Sequence, residues 1–209
     1  MRIVVFTCDS YSWLIQIFLH FYKKMWPDNP YQTDFVTETK EIAGQTPFYT
    51  GKIPWADGAI KYFESCSEET FLLFLEDYII TKSINTNLIK KAEKLCAGDI
   101  GCVRLSPYDS WSQFLFDANI EGFKEYPLNQ AYSVSLQTAI WQKEFLLEFL
   151  RKGENMWRVE YAGSKRIHTS KKRVIWVDVP IINYQLGGFM RKGKIVKSVK
   201  EWVEKNWNE

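Results

Sequence analysis

The stretch that decides the fold is TFLLFLEDY, Thr70 to Tyr78. Five apolar residues, Phe71 to Leu75, run without a break into two carboxylates, Glu76 and Asp77. A short unbroken apolar run with polar flanks suits a strand buried on both faces, as in a parallel sheet. In open α/β sheets ligands bind beyond the carboxyl ends of the strands. Two acids at that point would stand at the mouth of a crevice, beside the aromatic Tyr78. Adjacent carboxylates repel unless a cation or a proton offsets their charge. A hard divalent metal, held by one or two carboxylates together with substrate phosphates, is one way to do so. A solvated strand end is the plain alternative, and the stretch by itself leaves both open.

Working outward, a chain of 209 residues has the size of one domain with a full core. The formal charge is +2 and the basic residues are scattered, which argues against a broad nucleic-acid-binding surface. Nine tryptophans supply core and also stacking surface for bases and sugar rings. Cys8, Cys66, Cys96 and Cys102 form no CxxC pair, and with two histidines a Cys/His metal site is not expected. Buried or free thiols in a reducing compartment fit better. The chain opens on the apolar IVVF without a basic leader, and no apolar run approaches bilayer length. The expectation is a cytoplasmic protein.

Upstream, Arg2 to Asp9 reads as a buried strand ending in polar residues, with Asp9 or Ser10 capping a helix from about Tyr11 to Met25. Trp26-Pro27 stops that helix, and Thr33 to Thr37 is a second strand followed by Glu38. This is the opening unit of a Rossmann-like half, without a GxGxxG fingerprint. Thr7, Asp9, Tyr11 and Glu38 stand at strand ends, where they would touch a nucleoside or serve as caps and turns. Glu41 to Gly58 reads as a surface loop containing Trp55 and Asp57, leading to a helix from about Ala59 to Cys66.

Downstream, Thr86 to Ala97 reads as an amphipathic helix with Leu88, Ile89, Ala92 and Leu95 inward, and Ile100 to Leu105 as a strand that Ser106-Pro107 ends. Tyr108 to Tyr132 is aromatic and irregular. In Ser133 to Arg166, the residues Leu136, Ala139 and Ile140, then Phe145, Leu146 and Phe149, give helical faces closed by Gly153. Trp157 to Glu160 begins another helical or turn segment.

In this order of elements the chain resembles a small glycosyltransferase of the GT-A type, the nucleotide-diphospho-sugar transferase fold. The resemblance implies an α/β single domain with a mixed, mostly parallel sheet flanked by helices. Residues 1–105 would form the nucleotide-sugar-binding half, and residues 106–209 the acceptor-binding half with the C-terminal tail. It implies a nucleotide-diphosphate sugar donor and Mn2+ or Mg2+ as cofactor. Glu76 and Asp77 fall where the family's acidic motif belongs, with Asp77 as the metal ligand and Glu76 beside it. Glu160 falls where the family has a late acid that acts as catalytic base. Thr7, Asp9 and Tyr11 match the end of the first strand, where the base or ribose is contacted. Trp55 and Asp57 precede the acidic strand, where donor contacts are also common. The motif here is Glu-Asp-Tyr rather than Asp-x-Asp, and no Asp follows Glu160. The basic-aromatic motif that usually follows is also missing; Gly163 to Arg166 is the nearest substitute.

The implied reaction is probed at Glu160, with a surface salt bridge to Arg158 or Lys165 as its plain alternative and Asp178, in VIWVDVP, as a reserve. The acceptor would be a hydroxyl, either on a bacterial surface glycan or on a hydroxylated DNA base. In the second case Lys165-Arg166, Lys171 to Arg173 and Arg191 to Lys194 would bind phosphates. A non-catalytic nucleotide-binding scaffold is a further possibility. Gly187-Gly188 with Arg191 to Lys194 reads either as a cover over a diphosphate or as a solvated turn. Val196 to Trp207 reads as a docked amphipathic helix, His20 as packing, and His168 as an isolated loop residue.

Overall fold

The computed structural model describes residues 1–106, 109–184 and 188–208. Pro107, Tyr108 and Gly187, which figure in the sequence reading, lie outside the described residues. The deciding stretch folds as strand β4, Thr70–Leu75, and Phe71 to Leu75 are buried. Its side chains alternate between two cores: Leu72 and Phe74 face one, Phe71, Leu73 and Leu75 the other. An unbroken apolar run is what a strand with two buried faces requires.

Around β4 stand β1 (Arg2–Phe6), β2 (Thr33–Thr37) and β3 (Phe48–Tyr49), all parallel to it. On its other side come β8 (Ala139–Gln142), β5 (Ile100–Arg104), β9 (Arg173–Val177), β7 (Phe123–Tyr126) and β6 (Phe116–Ile120). The nine-stranded sheet has the order β3-β2-β1-β4-β8-β5-β9-β7-β6, and only β7 and β8 run against the rest. Six helices flank it: α1 (Leu14–Met25), α2 (Trp55–Ser65), α3 (Thr86–Leu95), α4 (Lys143–Phe149), α5 (Met156–Arg166) and α6 (Lys197–Asn206). Helices α1, α3 and α6 cover one face, while α2, α4 and α5 cover the other. The C-terminal part adds a hairpin of β10 (Met190–Arg191) and β11 (Lys194–Ile195). The α/β fold, with a mixed and mostly parallel sheet in one domain, is the one expected.

Several local expectations need correction. Helix α1 starts at Leu14 behind Trp13 without a side-chain cap, and the Asp9 carboxylate is engaged by Thr39 and Lys40 instead. Helix α2 starts at Trp55, not near Ala59: Pro54 sets the extended entry and Asp57 sits in the first turn, where its charge suits the helix dipole. Gly58 is thus a helical residue, and its lack of a Cβ lets Thr50 approach, the nearest atom standing 2.9 Å from where that Cβ would be. Ala139 and Ile140 are in a strand, not a helix, inserted antiparallel between β4 and β5. Within the segment read as irregular lie β6 and β7. Leu88 points outward at 43 % exposure, on the far side of α3 from Ile89 and Ala92. Docked on the body, α6 buries Val199 and Val203, and His20 stacks on Trp207 with ring centroids 4.2 Å apart. No helix among the described residues is long and apolar enough to cross a membrane.

Candidate functional site

A cleft of about 670 Å³ opens at the carboxyl ends of β1, β2 and β4, the position where this class of sheet binds ligands. One wall carries Thr7, Cys8, Tyr11 and Glu38 from the strand ends, and Trp55 and Gly58 from α2. Its floor carries Glu76, Asp77 and Tyr78. The opposite wall is Leu136, Gln137, Asn155, Met156, Trp157 and Glu160, with Met190, Lys192 and Gly193 of the β10–β11 hairpin at the edge.

Of the residues singled out in the sequence, Thr7, Tyr11, Glu38, Trp55, Glu76, Asp77 and Glu160 thus share one cleft. Asp9 and Asp57 are not among its lining residues. The Asp9 carboxylate accepts hydrogen bonds from the Thr39 backbone N–H and hydroxyl and from the Lys40 N–H, at 2.9, 2.6 and 3.0 Å. These bonds hold its carboxyl below the usual aspartate range. Its own N–H donates to Glu38 at 2.8 Å. Asp9 therefore ties the loop after β1 to the loop after β2. Asp57 accepts the Gly153 N–H at 2.6 Å and so ties α2 to the turn before α5.

Acid chemistry concentrates at two places. Glu76 is buried at 6 % exposure, and burial followed by the Asp77 charge pushes its carboxyl well above the usual range. Burial pushes Asp77 up to about 6, opposed by the Met190 N–H, which donates to Asp77 Oδ2 at 3.4 Å. The Phe189 N–H donates to the Asp77 carbonyl at 2.8 Å, so the hairpin is laid directly over this residue. Gly188, at φ +71°, approaches so closely that any Cβ there would collide with the Asp77 carboxylate. Tyr78 stacks on Tyr184 at 4.5 Å and its phenol is raised by burial.

The second place is Glu160, on α5. Its Oε1 accepts from the Leu136 N–H at 2.7 Å and the Ser135 hydroxyl at 3.1 Å. Burial raises its carboxyl, and those two donors and the Arg104 charge oppose the rise. The surface salt bridge considered for it is absent: Arg158 lies 3.9 Å from Glu154, and Lys165 donates to the Tyr161 hydroxyl.

No group of three or more metal-ligating side chains gathers among the described residues. The Glu76–Asp77 pair therefore fits a hard divalent ion only where substrate phosphates complete its shell. Its two desolvated like charges are what such an ion, or a proton, would relieve. Within the basic clusters, three residues are engaged internally. Arg166 binds Glu154 in a fork at 3.0 and 2.6 Å, Arg173 binds Glu125, and Lys172 binds Gln142 and Glu144. Gly163 to Arg166 is the end of α5 rather than a turn, with Lys165 donating to the Tyr161 hydroxyl and Arg166 held by Glu154. Asp178 is exposed beyond β9, away from the cleft.

Lys192 and Gly193, from the basic loop read as a cover over a diphosphate or a solvated turn, line the cleft, whereas sequence reasoning missed Cys8, Gln137, Asn155 and Trp157. Asn155 carries a detectable signal, being the N-cap of α5 whose side chain accepts the Arg158 N–H. Cys8 lies between Thr7 and Asp9 at the end of β1, while Gln137 and Trp157 become neighbours only through the sheet order.

No family model and no curated protein sequence matches the chain. Solved structures do. A CMP:2-keto-3-deoxy-manno-octonic acid synthetase complexed with CTP superposes with TM-score 0.61 at 10 % identity, over 99 % of this chain and 98 % of that one. A mannosyltransferase from Pyrobaculum calidifontis, in complex with GDP-Man and Mn2+, gives 0.56 at 14 % identity over 86 % of this chain and 54 % of that one. A UDP-glucose pyrophosphorylase complexed with UDP-glucose gives 0.52 at 12 % identity over 100 % and 99 %. The chain has the nucleotide-diphospho-sugar transferase fold, of the GT-A type.

Proposed function

We propose that the protein is a glycosyltransferase that moves a sugar from a nucleotide-diphosphate donor to a hydroxyl acceptor with inversion. The observation that carries the reading is one cleft that holds, besides Glu38 at the end of β2, the Glu76–Asp77 pair at the tip of β4 and, apart from it, the Glu160 carboxylate on α5. In this reading Thr7, Tyr11, Glu38 and Trp55 hold the nucleoside, and residues 1–105 form the donor half. Asp77, with Glu76 beside it, would hold Mn2+ or Mg2+ together with the donor's phosphates. A divalent ion bound there would offset the negative charge of the departing diphosphate. Glu160 faces the acceptor: the acceptor oxygen forms the new bond to the anomeric carbon, its proton passes to the carboxylate, and the anomeric C–O bond to the diphosphate breaks. A base so placed contributes about 10²- to 10⁴-fold in rate. Its raised carboxyl makes it a better proton acceptor than an ordinary glutamate.

The acceptor is a glycan in this reading. The DNA-base alternative needs free cations to track phosphates, and Arg166, Lys172 and Arg173 are engaged by carboxylates. Nucleotidyl transfer is a second reading, favoured by the end-to-end likeness to two such enzymes. Against it, the loop from Thr7 to Trp13 contains neither glycine nor a basic residue to cradle a triphosphate.

A screen of nucleotide sugars for diphosphate release, run beside nucleoside triphosphates plus sugar phosphates for pyrophosphate release, separates these readings. Glu160→Gln should retain metal-dependent donor binding by calorimetry and lose transfer. Turnover at the parent rate in Glu160→Gln would remove Glu160 from the mechanism. Donor binding without turnover of any donor would leave a scaffold.

A further inference from the structure

We propose that Arg104 is the positioning residue for the Glu160 carboxylate, acting through the backbone of residues 132–136. The proposal rests on the glycosyl-transfer reading only for what Glu160 then does.

Arg104 closes β5, opposite Ala139 on β8 and beside Trp176 on β9, and is 3 % exposed. Its guanidinium lies 4.7 Å from the Trp176 ring and 5.4 Å from that of Tyr126. Those two rings stack on each other 5.2 Å apart at 11°. No ion pair with a carboxylate is formed among the described residues; the head group is instead anchored to carbonyls. A buried cation without a directly paired carboxylate is unfavourable, and an apolar residue of similar volume would normally serve packing as well. Packing alone therefore does not account for an arginine here.

What Arg104 does hold is specific. Nη2 donates to the Tyr132 carbonyl at 2.5 Å and to the Ser133 carbonyl at 2.9 Å. Tyr132 has φ +60°, a conformation that a bulky side chain rarely adopts without outside support. The next residues of the same segment present the Ser135 hydroxyl and the Leu136 N–H to Glu160 Oε1. Both donors use the one oxygen, and Oε2 accepts nothing among the described residues, so it is left for the cleft. Residues Ser133 to Leu136 are buried throughout. From the other side Ser164 on α5 takes the Val134 N–H at 3.0 Å and donates to the Glu160 carbonyl at 2.6 Å. The segment is thus clamped between β5 and α5, with Arg104 as the β5 jaw. The ionisable groups that face Glu160 are Arg104, from β5, and Tyr78, from the end of β4.

The test follows the Glu160 carboxyl by carbon NMR in ligand-free, 13C-labelled protein, with the resonance assigned by Glu160→Gln. Titrations compare the parent with Arg104→Lys, Arg104→Met and Ser135→Ala. Lysine keeps the charge but lacks the planar head that stacks on Trp176. All three variants should raise the proton affinity of Glu160 about tenfold, with a shift of the Leu136 amide resonance, while the Asp77 midpoint stays in place. A folded Arg104→Lys protein with an unchanged Glu160 midpoint and Leu136 amide would overturn the proposal. Should Arg104→Met not fold, the lysine and Ser135 variants decide the matter. With UDP-glucose or GDP-mannose as donor, Arg104→Lys should lower kcat roughly 10²-fold, the size of a misplaced catalytic group, and leave the donor KM within about threefold. A raised KM with kcat intact would equally overturn it. A parent that turns over neither donor counts against the transfer reading, and the titration still decides the role of Arg104.

Discussion

Replacing Asp77 by asparagine should make the metal-free protein more stable above neutral pH. The Asp77 carboxyl sits at about 6 in the folded chain, against an ordinary 3.8. The native state therefore holds this proton more tightly than the unfolded chain, and the slope of stability with pH is negative. The contribution is fully present below about pH 4, is lost as pH rises through about 6, and stays lost above. A gap of roughly two pH units at 1.36 kcal/mol each corresponds to about 3 kcal/mol. Glu76 adds in the same direction, because burial and the Asp77 charge raise it too. Asparagine keeps the shape and can still accept the Met190 N–H while removing the buried charge. In urea unfolding with a chelator, Asp77→Asn should gain up to about 3 kcal/mol over the parent at pH 8 and match it near pH 4. For a chain of this length that is a rise of roughly 6–12 °C in Tm. Added Mn2+ should raise the Tm of the parent and not that of the variant. A stability difference that does not change between pH 4 and 8, or a variant less stable at both, would refute the claim that Asp77 is held desolvated and unpaired.

Gly188→Ala should force the β10–β11 hairpin off Asp77, since its Cβ collides with that carboxylate at a positive φ; a loss of at least about 1 kcal/mol in urea unfolding is expected, with faster amide exchange at Phe189. Asp57→Ala removes the acceptor for the Gly153 N–H and a first-turn acid, costing about 1–2 kcal/mol. Calorimetry should find nucleoside-diphosphate affinity unchanged in that variant, since Asp57 is absent from the cleft lining. Trp157 lines the cleft at 61 % exposure, so Trp157→Ala should leave stability within about 0.5 kcal/mol and weaken saccharide or donor binding measured by calorimetry.

How much of this was legible before the structure depends on the range of the signal. The tip of β4 was readable because Phe71 to Leu75 and the two acids are contiguous, and the sheet class then fixes which end is open. Thr7, Tyr11 and Glu38 followed from the same rule applied to β1 and β2. Asp9 stands at a strand end as that rule asks, but its carboxylate is turned to the loop after β2 and does not line the cleft. An aspartate at a strand end competes for backbone N–H groups, and here Thr39 and Lys40 supply them. Nothing local distinguishes an acid that bridges two loops from one that meets a ligand. Gln137, Trp157 and Lys192 reach the cleft from three separate segments, and their convergence exists only once the strand order is set.

The reversed strand β8 shows the same limit acting on the fold itself. Leu136, Ala139, Ile140, Phe145, Leu146 and Phe149 fall at helical intervals, yet Ala139–Gln142 is a strand and Lys143–Phe149 a helix. A strand of four residues buried on both faces has no polar alternation to announce its period. The apolar positions of a strand and of the helix that follows it can therefore mimic one longer helix. The consequence reaches the candidate site. Because β8 enters between β4 and β5, the segment before it passes from the guanidinium of Arg104 to the carboxylate of Glu160. In place of a helix's first turn, Ser133 to Leu136 is a buried, irregular approach to β8. As the approach to a strand it leaves the Leu136 N–H free to hold Glu160 against the cleft.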